Sequence, residues 1–168
     1  MGLDMYLYLK QEEYKGIYIS EPDDTDLTLD YPAGMEKIEE TMKKMGDSKS
    51  VTRDTLYKVG YWRKANAIHQ WFVDNCAGGE DDCRPVHCEL EALETLLANC
   101  KLVKRVPQMA EEVLPTQGGF FFGNTEYDDY YYQNIDDTIE ILENVIEFIK
   151  NAVANKDYRW SVVYEASW

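Results

Sequence analysis

The sequence is poor in basic residues. It has 17 lysine and arginine residues against 32 aspartate and glutamate residues, a formal net charge of −15 at pH 7. A charge of this sign repels nucleic-acid phosphates at long range and attracts basic partners. We therefore expect no direct binding of nucleic acid, and the charge favours a protein partner with a basic surface.

Long apolar runs are also missing. The longest, such as Phe120 to Phe122 and Ala152 to Ala154, are far shorter than the roughly 20 residues of a membrane-spanning helix. The N-terminus carries Asp4 inside its apolar stretch and no basic region before it, which is not typical of a signal peptide. We predict a soluble, cytoplasmic protein with no membrane partner. Its four cysteines are then expected to be reduced thiols.

Motifs of well-defined chemistry do not occur. The phosphate-binding patterns GxxxxGK(S/T) and GxGxxG are absent. The possible zinc ligands contain no CxxC or HxxxH pair; they are His69, Cys76, Cys83, His87 and Cys88. For a nucleophilic Cys83 with His69 or His87 as base, the neighbouring acidic residues would raise the thiol pKa. We predict no metal, no cofactor and no catalytic residue.

Period-2 alternation marks the strands. Leu3, Met5, Leu7 and Leu9 alternate with polar or tyrosine residues, which predicts a strand with one apolar face. Further strands are predicted at Gly16–Ser20, Ser50–Val59 and Asp157–Trp168, the last pairing with the first. The acidic, proline-containing stretch Glu21–Pro32 predicts a loop.

Helical spacing of apolar residues marks the helices. They are predicted at Gly34–Met45, Tyr61–Cys76, Cys88–Val103 and Asn134–Val153, with a short acidic turn at Met109–Leu114. Gly60 is interpreted as the break between the strand before it and the helix that begins at Tyr61. Thr116–Asp129 is glycine- and aromatic-rich and is expected to be irregular. The pattern predicts a single α+β domain, residues 1–168, with a small, mostly antiparallel sheet that includes both terminal strands and packs against three to four helices.

Four stretches of the sequence are long and specific: GLDMYL near the start, YWRKANAIHQWFV, LPTQGGFFFG and the closing aromatic strand. Together they resemble a family of small proteins encoded by phages, prophages and their bacterial hosts. The family has no established activity, so the resemblance implies context and no site residues. It implies a protein of phage or prophage type that acts in the bacterial host cell. The expected role is to modulate or inhibit a host protein, including a host defence or nucleic-acid-binding system in the manner of anti-CRISPR proteins.

The predicted Tyr61–Cys76 helix carries a polar stripe formed by Trp62, Asn66 and His69. Polar side chains beside an indole are costly to bury without partners. One interpretation is a ligand pocket with converging polar groups; its expected residues are Trp62, Arg63, Asn66, His69, Asp81, Asp82, Thr116, Gln117, Phe121 and Tyr127. The other, favoured interpretation is a buried hydrogen-bonded network that ties the loops to the helix.

Carboxylates also recur along one face of the predicted helix Asn134–Val153. With those just before it they form an expected acidic interaction surface: Glu126, Asp128, Asp129, Asp136, Glu140, Glu143 and Glu147. Such a face is either a solvated helix surface or a docking surface for a basic protein. The leading hypothesis is a non-enzymatic protein that binds a host protein through acidic and aromatic surface. The alternative is a small-molecule-binding protein or small enzyme with a pocket around Arg63, Asn66 and His69.

Overall fold

The computed structural model describes residues 2–12, 34–45, 51–53 and 56–168. Within these ranges the chain forms a single α+β domain, which confirms the predicted fold class. The strands are β1 (Asp4–Gln11), β2 (Val51–Arg53), β3 (Leu56–Arg63), β4 (Val86–Cys88) and β5 (Trp160–Ser167). The helices are α1 (Met35–Lys44), α2 (Asn66–Cys76), α3 (Leu90–Arg105), α4 (Ala110–Val113) and α5 (Asp129–Ala154). A 3₁₀ turn at Pro107–Met109 precedes α4.

The sheet has the strand order β2-β3-β1-β5-β4, and each of its pairs is antiparallel. The predicted pairing of the first strand with the last is confirmed, since Leu7 of β1 lies opposite Tyr164 of β5. β1 is therefore an inner strand, flanked on both sides. Its alternating residues Met5, Leu7 and Leu9 are fully buried, as the period-2 pattern predicts.

Helix α5 packs against α1 and α3 and touches both β3 and β5. Its buried face includes Ile135, Leu142 and Ile149, in agreement with the predicted spacing. The helix begins five residues earlier than expected, at Asp129. The reason is the preceding residue Asp128, whose side chain accepts a hydrogen bond from the Tyr131 N–H at 3.0 Å. This is an aspartate N-cap, which satisfies one of the otherwise free donors of the first turn.

The predicted helix Tyr61–Cys76 is wrong in its first turn. Strand β3 continues through Gly60 to Arg63, and α2 begins only at Asn66. Gly60 does not end the strand. Helix α5 packs closely against it, and a Cβ at this position would lie 2.9 Å from the Ile141 side chain. The register of β1 and β3 shifts beside it, between Leu7 and Tyr8. Such bulges bend a strand without ending it.

Other boundaries move by smaller amounts. Cys88 belongs to β4 and not to the following helix, and Tyr158 precedes β5 as an exposed side chain. The predicted strand Gly16–Ser20 and loop Glu21–Pro32 lie outside the described residues. The expected irregular segment Thr116–Asp129 has no helix or strand before Asp129.

Candidate functional site

Asn66, in the first turn of α2, fastens the irregular segment to the helix. Its carboxamide donates hydrogen bonds to the carbonyl oxygens of Phe122 at 3.0 Å and Asn124 at 2.8 Å. Its Oδ1 accepts one from the Gln117 N–H at 2.9 Å. These backbone partners occupy both ends of the amide, so it presents little free hydrogen-bonding capacity to a ligand. The arrangement fits the buried network described above.

His69 is the centre of a second buried chain of hydrogen bonds. It is 1% exposed; its Nδ1 lies 2.7 Å from the Tyr164 hydroxyl and its Nε2 lies 3.1 Å from Asp81 Oδ2. Burial raises the pKa of Tyr164 well above its usual value, so the hydroxyl stays protonated and donates to Nδ1. The Nε2–H then donates to the Asp81 carboxylate. The hydrogen-bond partners therefore assign His69 as the tautomer that carries its proton on Nε2.

Asp81 extends this chain to the end of β5. Its second oxygen accepts a hydrogen bond from the Trp168 indole N–H at 3.1 Å. The neighbouring Asp82 interacts instead with Arg84, whose Nε lies 3.5 Å from Asp82 Oδ1. Asp81 thus joins the loop after α2 to the terminal indole, and Asp82 remains within the loop.

Cys83 lines the same small hollow as His69 and Asp81. Both imidazole nitrogens of His69 are already engaged by Tyr164 and Asp81, so His69 is not free to deprotonate the thiol. His87 lies 3.1 Å from Glu89, on the short strand that follows. Within the part of the chain that the structure describes, no group of three or more His, Cys, Asp or Glu side chains is placed to hold a metal ion.

The remaining residues of the expected pocket lie in separate places. Trp62 points into the core from β3 and its indole N–H donates to Thr138 of α5 at 2.9 Å. Arg63 is more than half exposed and lies 3.6 Å from Asp4. The Thr116 N–H donates to the Tyr127 hydroxyl at 3.2 Å. The structure therefore brings Asn66 to Gln117 and His69 to Asp81, while Trp62 and Arg63 contact other elements.

The three consecutive phenylalanines point in different directions. Phe122 faces inward and meets the His69 ring edge to face at 5.2 Å between centroids. Phe121 stacks on Trp168 at 6.4 Å and also contacts Phe120, which is 95% exposed. The Leu3 N–H donates to the Phe121 carbonyl at 3.0 Å, which fixes the backbone between them. We call the residues Phe120, Phe121 and Trp168 the aromatic surface.

The carboxylates along α5 are paired with lysines of the neighbouring helices. Glu140 and Glu147 lie beside lysines of α1, and Asp136 and Glu143 beside lysines of α3. The pairs, with N–O distances of 2.5–3.2 Å, are Lys44–Glu140, Lys37–Glu147, Lys104–Asp136 and Lys101–Glu143. Exposed pairs of this kind contribute only about 0–1 kcal/mol each. They nevertheless neutralise locally a face that is uniformly acidic in sequence.

The acidic residues just before that face have no lysine or arginine partner in the described ranges. Glu126 and Asp129 are exposed. Asp128 is used as the N-cap of α5, and the Tyr131 N–H that it accepts lowers its pKa. The free negative charge of the expected interaction surface is therefore concentrated at the start of α5.

Sequence reasoning missed Tyr164, Trp168 and Thr138 as partners of the polar stripe. Tyr164 lies on the same face of β5 as the buried Val162 and Ala166, which is a signal of burial but not of its hydrogen bond to His69. Thr138 lies one turn after Asn134 on the apolar face of α5. A hydroxyl on such a face needs a hydrogen-bond partner, but the sequence does not show which residue provides it.

Comparison with known protein families, with curated proteins and with solved structures finds no match for this chain. None of the helices in the described ranges is both long and apolar enough to cross a membrane.

Proposed function

We propose that this chain is a non-enzymatic binding protein that engages a basic protein partner through the aromatic surface and the carboxylates near it. The observation that carries the proposal is Phe120, a large apolar side chain that is 95% exposed on a segment held by Asn66 and Leu3. Aromatic anchors held in place before binding lose little conformational entropy and often dominate interface energetics.

Charge supports the choice of partner. The formal net charge of −15 steers a basic partner towards the protein. Glu126 and Asp129, which no basic side chain of the described structure neutralises, lie after Phe120 and Phe121 in the segment Thr116–Asp129. The paired ladder along α5 is a weaker candidate, because a partner would have to displace lysines that already neutralise it.

The resemblance to phage and prophage proteins adds the context of the proposal. In that context the partner is a host protein in the bacterial cytoplasm, and binding modulates or inhibits it. The alternative, a ligand pocket around Arg63, Asn66 and His69, has less support, because Asn66 and His69 are engaged within the protein and Arg63 lies outward.

The test compares capture of host proteins by the natural protein and by two variants. Phe120→Ser removes the exposed ring, and Tyr158→Ser is the matched control, because Tyr158 is also exposed, at 73%, but lies outside the aromatic surface. We expect a captured protein to be lost with Phe120→Ser, retained with Tyr158→Ser, and released as salt is raised. Equal capture by both variants, or capture that is insensitive to salt, would contradict the proposal.

A further inference from the structure

A cleft opens where the first turn of α2 meets the start of α5. It is distinct from the hollow beside His69, with which it shares no lining residue. Its wall includes the residues Ala65 to Ile68 on one side and Asn134 on another, together with the charged side chains Lys64, Glu126 and Asp128.

Asn134 is a buried polar side chain without a partner. It lines the cleft and is only 9% exposed. Within the described ranges its carboxamide makes no hydrogen bond; the hydrogen bond that the Thr138 hydroxyl donates at 2.6 Å goes to the backbone carbonyl of Asn134. Native proteins rarely leave such a group without a partner from the protein, a water molecule or a bound ligand. A ligand in the cleft would supply the missing donor and acceptor.

The first turn of α2 adds free donors to the same cleft. Its N-cap is Ala65, no side chain caps it, and no acidic residue lies in the first turn. In the described structure no carbonyl accepts from the N–H groups of Asn66, Ala67 and Ile68. By contrast α5 has its Asp128 cap. Free N–H groups and the positive end of a helix dipole favour a carboxylate or a similar anion.

Glu126 brings the opposite charge to the cleft. It is exposed and has no basic partner in the described ranges, so it is available to an ammonium group. A purely anionic ligand would meet both this carboxylate and the protein's net charge of −15. A zwitterion carries no net charge and satisfies both ends of the cleft.

We propose that the cleft binds a free α-amino acid, with its carboxylate at the first turn of α2, its ammonium group at Glu126, and a polar group hydrogen-bonded to Asn134. The cleft includes no residue of the aromatic surface and does not include His69, although it shares Glu126 with the proposed docking carboxylates and Asn66 and Thr116 with the expected pocket. The proposed protein–protein interaction and the amino-acid site can therefore each fail without the other.

The first test is titration with the standard amino acids one at a time, followed by two-dimensional amide NMR spectra. We expect at least one amino acid to shift the backbone signals of Asn66 to Ile68 and the side-chain NH₂ signal of Asn134. Its N-acetyl derivative lacks the ammonium group and its amide lacks the carboxylate. Each should bind at least about tenfold more weakly, because each loses one charge-assisted hydrogen-bonded end.

Two variants separate binding from folding. Glu126→Gln should weaken binding by about tenfold or more, whereas Glu12→Gln, on an exposed residue at the opposite end of β1, should leave it unchanged. Asn134→Leu should abolish binding without lowering the melting temperature, because the carboxamide has no internal partner to lose.

The proposal is overturned if no amino acid shifts these signals at concentrations up to about 10 mM, well above the affinity of a weak metabolite site. It is also overturned if the N-acetyl derivative or the amide binds as tightly as the parent. Should Asn134→Leu fail to fold, the ligand analogues and Glu126→Gln still decide the question.

Discussion

Replacing Asn66 with alanine removes the three hydrogen bonds that join α2 to the irregular segment, those with Gln117, Phe122 and Asn124. Each such bond contributes about 0.5–1.5 kcal/mol net to folding. Asn66 is 5% exposed, so water has poor access to the groups left behind. We expect the free energy of unfolding to fall by about 3 kcal/mol, and the melting temperature by roughly 6–12 °C for a chain of this length.

Urea unfolding followed by circular dichroism measures the loss, and amide hydrogen exchange at Gln117 reports where it occurs. Asn155→Ala is the matched control, since its carboxamide makes one exposed bond, to the Asn151 carbonyl at 2.9 Å. The control should change stability by no more than about 0.5 kcal/mol. The reasoning would be refuted if Asn66→Ala cost less than about 1 kcal/mol and exchange at Gln117 stayed as slow as in the natural protein.

Three further predictions concern other described contacts. Trp62→Phe keeps a ring in the core but loses the hydrogen bond to Thr138, so the free energy of unfolding measured in urea should fall by about 1–2 kcal/mol. The control Trp168→Phe, at an exposed tryptophan, should cost less. Equal losses would contradict a stabilising role for the Trp62–Thr138 hydrogen bond. Burial and the nearby Asp4 raise the pKa of Tyr61 from 10.0 to about 12. The contribution of this protonated hydroxyl to stability is therefore complete below pH 10 and lost as pH rises to about 12. Tyr61→Phe should reduce the loss of stability in that range, and an unchanged dependence of stability on pH would contradict this prediction. Of the free cysteines, the partly exposed Cys76 and Cys83 should react first with a thiol reagent, while the buried Cys88 and Cys100 react only on unfolding. Reaction of the four thiols at the same rate in the folded protein would contradict this order.

The paired carboxylates of α5 illustrate a limit of sequence reasoning. In the chain, no lysine or arginine occurs between Arg105 and Lys150, so the helix face is expected to be uniformly acidic. In the structure, Lys44 of α1 lies 3.1 Å from Glu140, and Lys101 of α3 lies 2.7 Å from Glu143. Because partners so distant in sequence meet only through helix packing, their neutralising effect could not be read from local charge.

The polar stripe shows a mixed outcome. Asn66 and His69 were correctly identified as buried polar side chains in need of partners, because both lie among apolar residues of α2. Their partners on the irregular segment and on β5 depend on the path of the chain between these elements. Trp62 does not belong to the stripe at all, since it lies on β3.

The sequence by itself determined the elements whose apolar residues repeat with one clear period. β1 alternates with period 2, and α5 repeats at 3 and 4 over many turns, so each has one side that must be buried. The alternating patterns of the two terminal segments also predict that β1 pairs with β5, as it does.

Only the tertiary structure decided whether Gly60 ends a strand or lets it continue. A glycine weakens a strand locally, and propensity alone favours a break there. The close approach of Ile141 of α5 makes the absence of a Cβ an advantage at that position. β3 therefore continues to Arg63, α2 begins at Asn66 without a side-chain cap, and the cleft beside Asn134 opens at that uncapped turn.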